Sequence, residues 1–296
     1  MRFSGDDRLS FLHGMCSNDV GNLKPGEVLE ALFLTEHAHV IAGCCIFARQ
    51  SDLLLEIDRA TWPRAHAHLE KFLVADDVEI DDSEGLVAIE LLGPKAASVA
   101  AIFSPGAGDL APWRFVASAD RIIGRYQRYG CEAFVLIAPS AQTDALLAEL
   151  SRPTLEAIPL GEAAVDLLRI ENGIARIGVD TGDKTIALEA RLESAISYKK
   201  GCYLGQETIE RATARGGLKK RLYGLLLEAS DLPARESPVR LDGREVGRVS
   251  SAAVSPRFGV IGLSILHHNA WRPGVTLTVH SGSSAWSGRV SDLPFG

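Results

Sequence analysis

Apolar and polar positions along this chain switch between helical and strand periods, and the switches mark its elements. A short strand is expected near Phe3; Leu9, Leu12 and Cys16 then share one helical face, which predicts a helix from about Asp7 to Met15 with Asp6 or Asp7 as N-cap. Strand-like runs follow at Leu29–Thr35, Val40–Ala48 and Leu53–Ile57. A second helix is predicted over about Trp62–Val74. Pro63 sits in its first turn, and Trp62, Ala65, Leu69 and Phe72 form its buried stripe. Val78–Ile80 closes this stretch as a strand. The pattern then restarts, with a strand at Leu86–Leu92, a helix opened by Gly93-Pro94 and running to about Phe103, and strands at Ile122–Gln127 and Ala133–Ile137. A helix at Gln142–Leu150 and a short strand at Leu155–Ile158 complete it. Each half reads as β-α-β-β-α-β, the ferredoxin-like arrangement, with the extra strand of the first half assigned to a longer hairpin.

A helix at about Gly161–Asn172 leads into an irregular, Gly-rich stretch. From Leu222 the texture changes to short alternating runs separated by Asp242-Gly243, Ser255-Pro256 and Pro273-Gly274. Turn signals that close together predict a small all-β barrel. The expected chain is therefore α+β: tandem ferredoxin-like units at 1–82 and 83–220, then a C-terminal β-barrel at 221–296.

Composition narrows the function classes. With 296 residues, 46% of them hydrophobic, the chain can bury sizeable cores and is not of disordered type. A net charge of −7 argues against stable, direct nucleic-acid binding. Five scattered cysteines, without C-x-x-C spacing, fit neither a disulfide framework nor a zinc ribbon. The start shows no secretory h-region and no apolar run reaches the ~20 residues of a membrane helix, so a soluble, cytoplasmic protein is expected.

The chemically suggestive segment is Lys199-Lys200-Gly201-Cys202-Tyr203-Leu204-Gly205-Gln206-Glu207. Two lysines precede the thiol, and a helix is expected over Gln206–Ala214. A cation and a helix N-terminus each favour thiolate. Gly201 and Gly205 would allow tight turns or close approach. The alternative is a packed structural cysteine. Glu171 shares a helix face with Ala164, Leu167 and Leu168, an inward carboxylate that needs either a ligand or a partner such as Arg169 or Arg176. Asn18-Asp19 is also good turn chemistry. Lys199, Lys200, Arg211, Arg215, Lys219, Lys220 and Arg221 form a basic run that could attract an anion or simply be solvated. His13 with Cys16, His66 with His68, and His267-His268 lack the companions of a metal site.

K-G-C-Y-x-G-Q-E with Arg211 resembles the signature of the YgfZ family of folate-binding proteins, relatives of the glycine cleavage T-protein. Supporting stretches occur in order: Asp7 to Gly14, Asn18-Asp19-Val20, Leu91 to Ala96, Leu168 to Gly173, Val246 to Ser251 and Leu293-Pro294-Phe295. The resemblance implies a T-protein-like arrangement of three domains around a folate cavity, with tetrahydrofolate or a one-carbon derivative as cofactor. It implies Glu171 as the pterin ligand, Asp19 near the folate nitrogens, Lys200, Tyr203 and Arg211 as further binding residues, and Cys202 as a redox or transfer thiol. The implied role is support of iron–sulfur cluster assembly or repair in client enzymes, tRNA-modifying enzymes among them. Aminomethyl transfer to tetrahydrofolate, and folate binding without catalysis, are the alternatives. Departures from the relatives at Glu36 to His39, at Ala42-Gly43 and at Ala187 weigh against aminomethyl transfer.

Overall fold

The computed structural model describes residues 1–82, 85–118, 120–214 and 217–296. The chain forms two units. One comprises Met1–Phe33, Ala42–Pro159 and Ala195–Tyr203, the other Leu34–Ile41, Leu160–Ser194 and Leu204–Gly296.

The first unit carries two sheets. In chain order the first repeat is β1 (Arg2–Ser4), α1 (Arg8–Met15), β2 (Val28–Leu34), β3 (Val40–Ala48), β4 (Leu53–Ile57), α2 (Trp62–Phe72) and β5 (Glu79–Asp81). Its sheet order is β2-β3-β4-β1-β5. Without β2, this is the order of a split β-α-β unit, and β2 adds an outer strand through the long hairpin. The second repeat is β6 (Leu86–Leu92), α3 (Ala96–Phe103), β7 (Arg114–Ala117), β8 (Ile122–Arg128), β9 (Cys131–Pro139) and α4 (Thr143–Leu150), ordered β6-β9-β8-β7. Here β7, absent from the sequence reading, plays the part of β2.

The expected strand at Leu155–Ile158 does not form. Pro153–Leu155 makes a 3₁₀ turn, Glu156 takes a left-handed φ of 51°, and Ile158 is 80% exposed. A left-handed residue ends an extended run, and an unburied apolar side chain supplies nothing to hold one in place. The second repeat has its own core, with Ala100, Phe134, Leu136 and Leu146 in it, and the two repeats share a further one. Phe47 and Leu54 pack with Phe115, Tyr126 and Val135, and a Cβ on Gly124 would come within 2.8 Å of the Phe47 ring. Backbone bonds from Val28 N–H to Trp113 O (2.9 Å) and from Phe115 N–H to Gly26 O (3.0 Å) join the two edges.

The second unit holds α5 (Glu162–Glu171), α6 (Gln206–Ala214) and a closed barrel. Its strands are β10 (Lys220–Leu227), β11 (Pro238–Leu241), β12 (Arg244–Ser255), β13 (Gly259–His267), β14 (Thr276–Ser281) and β15 (Ser284–Ser291). They close in the order β10-β13-β12-β11-β14-β15, which leaves no open sheet edge. Leu225, Val239, Val249, Leu266 and Val279 cluster as one core. Leu222, Ile261 and Leu263, an odd number of positions from Leu225 and Leu266 on their strands, pack with Ile170 and Phe295 instead. The barrel's second apolar face thus seats the end of α5. Among the described residues no helix is long and apolar enough to cross a membrane.

Candidate functional site

In the first unit the cysteine segment is tied to the end of α1 by backbone groups. Ser17, fully buried, accepts from Leu32 N–H through its hydroxyl (2.9 Å) and donates to Ala195 O (2.5 Å). Its carbonyl accepts from Ser197 N–H (3.0 Å), so one side chain and one peptide stitch β2 to this segment. Lys200 is 8% exposed, and its ammonium donates to the carbonyls of His13, Cys16 (2.7 Å) and Asn18 (3.0 Å). An ammonium has three donors, and all three are used. Two of those carbonyls lie in the last turn and C-cap of α1, where a cation is favoured by the helix dipole. Burial lowers the Lys200 pKa, while Cys16 and Asp19 oppose that shift.

Lys200 was expected to bind cofactor and to favour thiolate at Cys202; in the structure its three donors hold the chain. Its Nζ lies 4.9 Å from the centre of the buried Tyr203 ring. Between these two anchors Gly201 and Cys202 are both exposed. A Cβ on Gly201 would meet nothing, so this glycine is not required by packing. Gly205 is: its φ is +88°, and a Cβ would lie 2.6 Å from Thr35 O, within the second unit. Cys16 and Cys44 are buried, and burial pushes both thiols up.

Asp19 lies beside this anchor, engaged in its own turn. Its carboxylate accepts from Asn22 N–H (3.3 Å) and Asn22 Nδ2 (2.8 Å), the turn chemistry that its sequence also allowed. His13 Nδ1 is 3.5 Å from Asp19 Oδ1 but accepts Gly21 N–H at 2.9 Å. That bond requires a lone pair on Nδ1, so the pair is not ionic while the imidazole is neutral. Burial, then Lys200, lower the His13 pKa from its usual 6.5, with Asp19 opposing. The unfolded chain is then the better proton acceptor, so His13 costs stability as the pH falls below about 6.5, until the folded state also protonates. An NMR titration of the His13 ring should give a midpoint below 6.5; a midpoint above it would show that the Asp19 carboxylate, not the Gly21 N–H, governs this ring.

In the second unit Glu171 is the last residue of α5, where the helix dipole disfavours a carboxylate. The Ser255 hydroxyl donates to its Oε1 (2.6 Å), and its carbonyl accepts Phe295 N–H (2.9 Å). Neither arginine considered as its partner takes it. Arg169, 5% exposed, bonds Asp166 (2.6 Å), Asp180 (2.7 Å) and Ser251 (2.8 Å), and Arg176 bonds Glu162 (3.1 Å). Asp180 also accepts from Ser250 (2.5 Å), Ser251 (2.7 Å) and Arg176 N–H (2.9 Å). Sequence reasoning missed Asp180, Ser251 and Ser255. Its only signal was that Leu168 to Gly173, Val246 to Ser251 and Leu293 to Phe295 stood out separately; these stretches meet here. Even Gly173 fits, since a Cβ there would lie 2.4 Å from Leu293 Cβ.

The other candidates disperse. Arg211 pairs with Glu207 one turn away on an exposed face of α6, and Arg221 pairs with Glu193 (2.9 Å). Lys199, Lys219 and Lys220 are exposed, and Arg215 lies outside the described residues. Among the described residues no group of three or more His, Cys, Asp or Glu could hold a metal ion.

Comparison with known proteins accords with this architecture. Residues 1–200 match the GCVT N-terminal domain and residues 220–295 the glycine cleavage T-protein C-terminal barrel domain. The chain is 30% identical over 317 aligned residues, covering all of it and 68% of the relative, to the Arabidopsis thaliana protein named "Putative transferase At1g60990, chloroplastic". It is 29% identical to an aminomethyltransferase of Rubrobacter xylanophilus, over 88% of this chain and 72% of that one. The crystal structure of glycine cleavage system aminomethyltransferase T from Bartonella henselae shares the fold, with a TM-score of 0.90 at 22% identity, across the whole chain and 83% of that one. With both of its domains matched in order, the chain belongs to the glycine cleavage T-protein (GCVT) family.

Proposed function

We propose that this protein binds tetrahydrofolate and, as a YgfZ-like member of its family, assists iron–sulfur cluster assembly or repair in cytoplasmic client enzymes, with Cys202 as its working thiol. The observation that carries the folate reading is Glu171: a carboxylate at the disfavoured end of α5, held by a serine hydroxyl and taken by neither neighbouring arginine. A pterin offers an amide N–H and an exocyclic amine along one edge, and a carboxylate accepts both. The thiol reading is supported by the exposure of Cys202 between the buried Lys200 and Tyr203. One cysteine cannot hold a cluster that takes about four such ligands, so the role is to assist clients rather than carry a cluster. Lys200, whose three N–H donors are all engaged, is not included among the folate ligands. Asp19, Tyr203 and Arg211, whose exposed pair with Glu207 leaves guanidinium donors to spare, are kept as binding residues.

Glu171→Ala should weaken tetrahydrofolate binding by at least tenfold in a calorimetric titration; undiminished affinity would sink the pterin assignment. Cys202→Ala should fail to restore a strain with failing iron–sulfur enzymes, and full rescue would make the thiol dispensable. The names of the bacterial relatives favour a second reading, aminomethyl transfer to tetrahydrofolate. Release of ammonia from an aminomethyl-lipoyl carrier would promote it over the first.

A further inference from the structure

Ser255 ends β12 and is 3% exposed. Its hydroxyl oxygen accepts two backbone donors, Arg257 N–H and Phe258 N–H, each at 3.0 Å. A hydroxyl has two acceptor lone pairs and a single proton, so with both lone pairs occupied its orientation is set. That proton points to Glu171 Oε1 at 2.6 Å. The turn that fixes the hydroxyl is itself braced: the Phe258 ring stacks at 5.9 Å on Phe295, whose N–H binds the Glu171 carbonyl. Backbone and side chain of Glu171 are thus held from the same turn and tail.

We infer that Ser255 is a positioning residue for the folate carboxylate: its locked O–H fixes one oxygen of Glu171 so that the carboxylate plane is presented to paired N–H donors on a pterin edge. This rests on the reading of Glu171 as the pterin ligand. Without the serine proton the side chain can rotate at the end of α5, and ordering it again on binding costs affinity.

The test is a double-mutant cycle on the full chain, with tetrahydrofolate titrated by calorimetry and thermal midpoints measured alongside. Ser255→Ala should weaken binding roughly tenfold, the scale of one hydrogen bond to a charged group. Ser255→Thr, which keeps the hydroxyl, should stay within about threefold of wild type. In a Glu171→Ala background Ser255→Ala should cause no further loss, because the side chain it orients is gone. If the alanine variant does not fold, Ser255→Cys replaces it, since a thiol can still accept weakly from the turn N–H groups but is a poor donor to Glu171. Equal loss in both backgrounds would mean that Ser255 only supports the turn, and would overturn the inference. Undiminished affinity in Glu171→Ala itself would remove the pterin assignment, and a null effect confined to Ser255→Ala would remove the positioning role alone.

Discussion

Asp180→Ala should lower the thermal midpoint by about 10 °C, more than any substitution of a surface charge in this chain. The Asp180 side chain is fully buried and faces the guanidinium of Arg169, which is itself almost completely enclosed. Removing the carboxylate leaves a buried cation with Asp166 as its one remaining counter-charge, and strands the donors of Ser251 and Arg176 N–H, while the Ser250 hydroxyl keeps Leu263 O. Breaking one side of a buried pair costs about 3–5 kcal/mol. In a chain of this size each kcal/mol moves the midpoint by about 2–4 °C. The double variant Arg169→Met/Asp180→Leu should recover much of that loss, because a buried pair replaced by apolar groups of similar volume is often near neutral. Calorimetric melting of the three proteins decides it. A midpoint for Asp180→Ala within about 2 °C of wild type would show that solvent reaches the site.

The second large effect is expected at Lys200. Lys200→Met leaves the carbonyls of His13, Cys16 and Asn18 without their shared donor, and should cost on the order of 3 kcal/mol. Arginine should not substitute, because a planar fork cannot reproduce three donors on one nitrogen. The readout separates two roles for this lysine. If it anchors the segment, the midpoint falls sharply; if it were a folate ligand, affinity would fall at an unchanged midpoint. The latter result would restore the role that the motif alone assigned to it.

These two residues also show where sequence reading stops. Local patterns reached far: the restarting β-α-β-β-α-β order, the barrel after Leu222 and the bounds of α6 were all legible, because amphipathic period and turn chemistry are local properties. The strand expected at Leu155–Ile158 is broken by the 3₁₀ turn and the left-handed Glu156 and leaves Ile158 exposed, and β7 escaped notice because only four residues carry it. Partnerships across many positions left no local trace. Lys200 reaches carbonyls more than 180 positions away, and Arg169 reaches Ser251 across 82. Lys200 stood in a motif suggesting thiol chemistry, and nothing in its neighbours showed that its charge was directed elsewhere. Glu171 was singled out because helical spacing turns it inward, but Ser255, which bonds it, could be recognised only in three dimensions.

The grip on Lys200 has an evolutionary consequence. All three acceptors are main-chain oxygens, so a change of side chain at position 13, 16 or 18 removes no acceptor, and matters to the grip only through the backbone path, which the bond of Asn18 Nδ2 to Glu30 O (2.7 Å) helps to set. Drift at those three positions should therefore be decoupled from drift at position 200. Lineages that keep an exposed residue at 202 on the same perch should hold the lysine while the helix facing it diversifies.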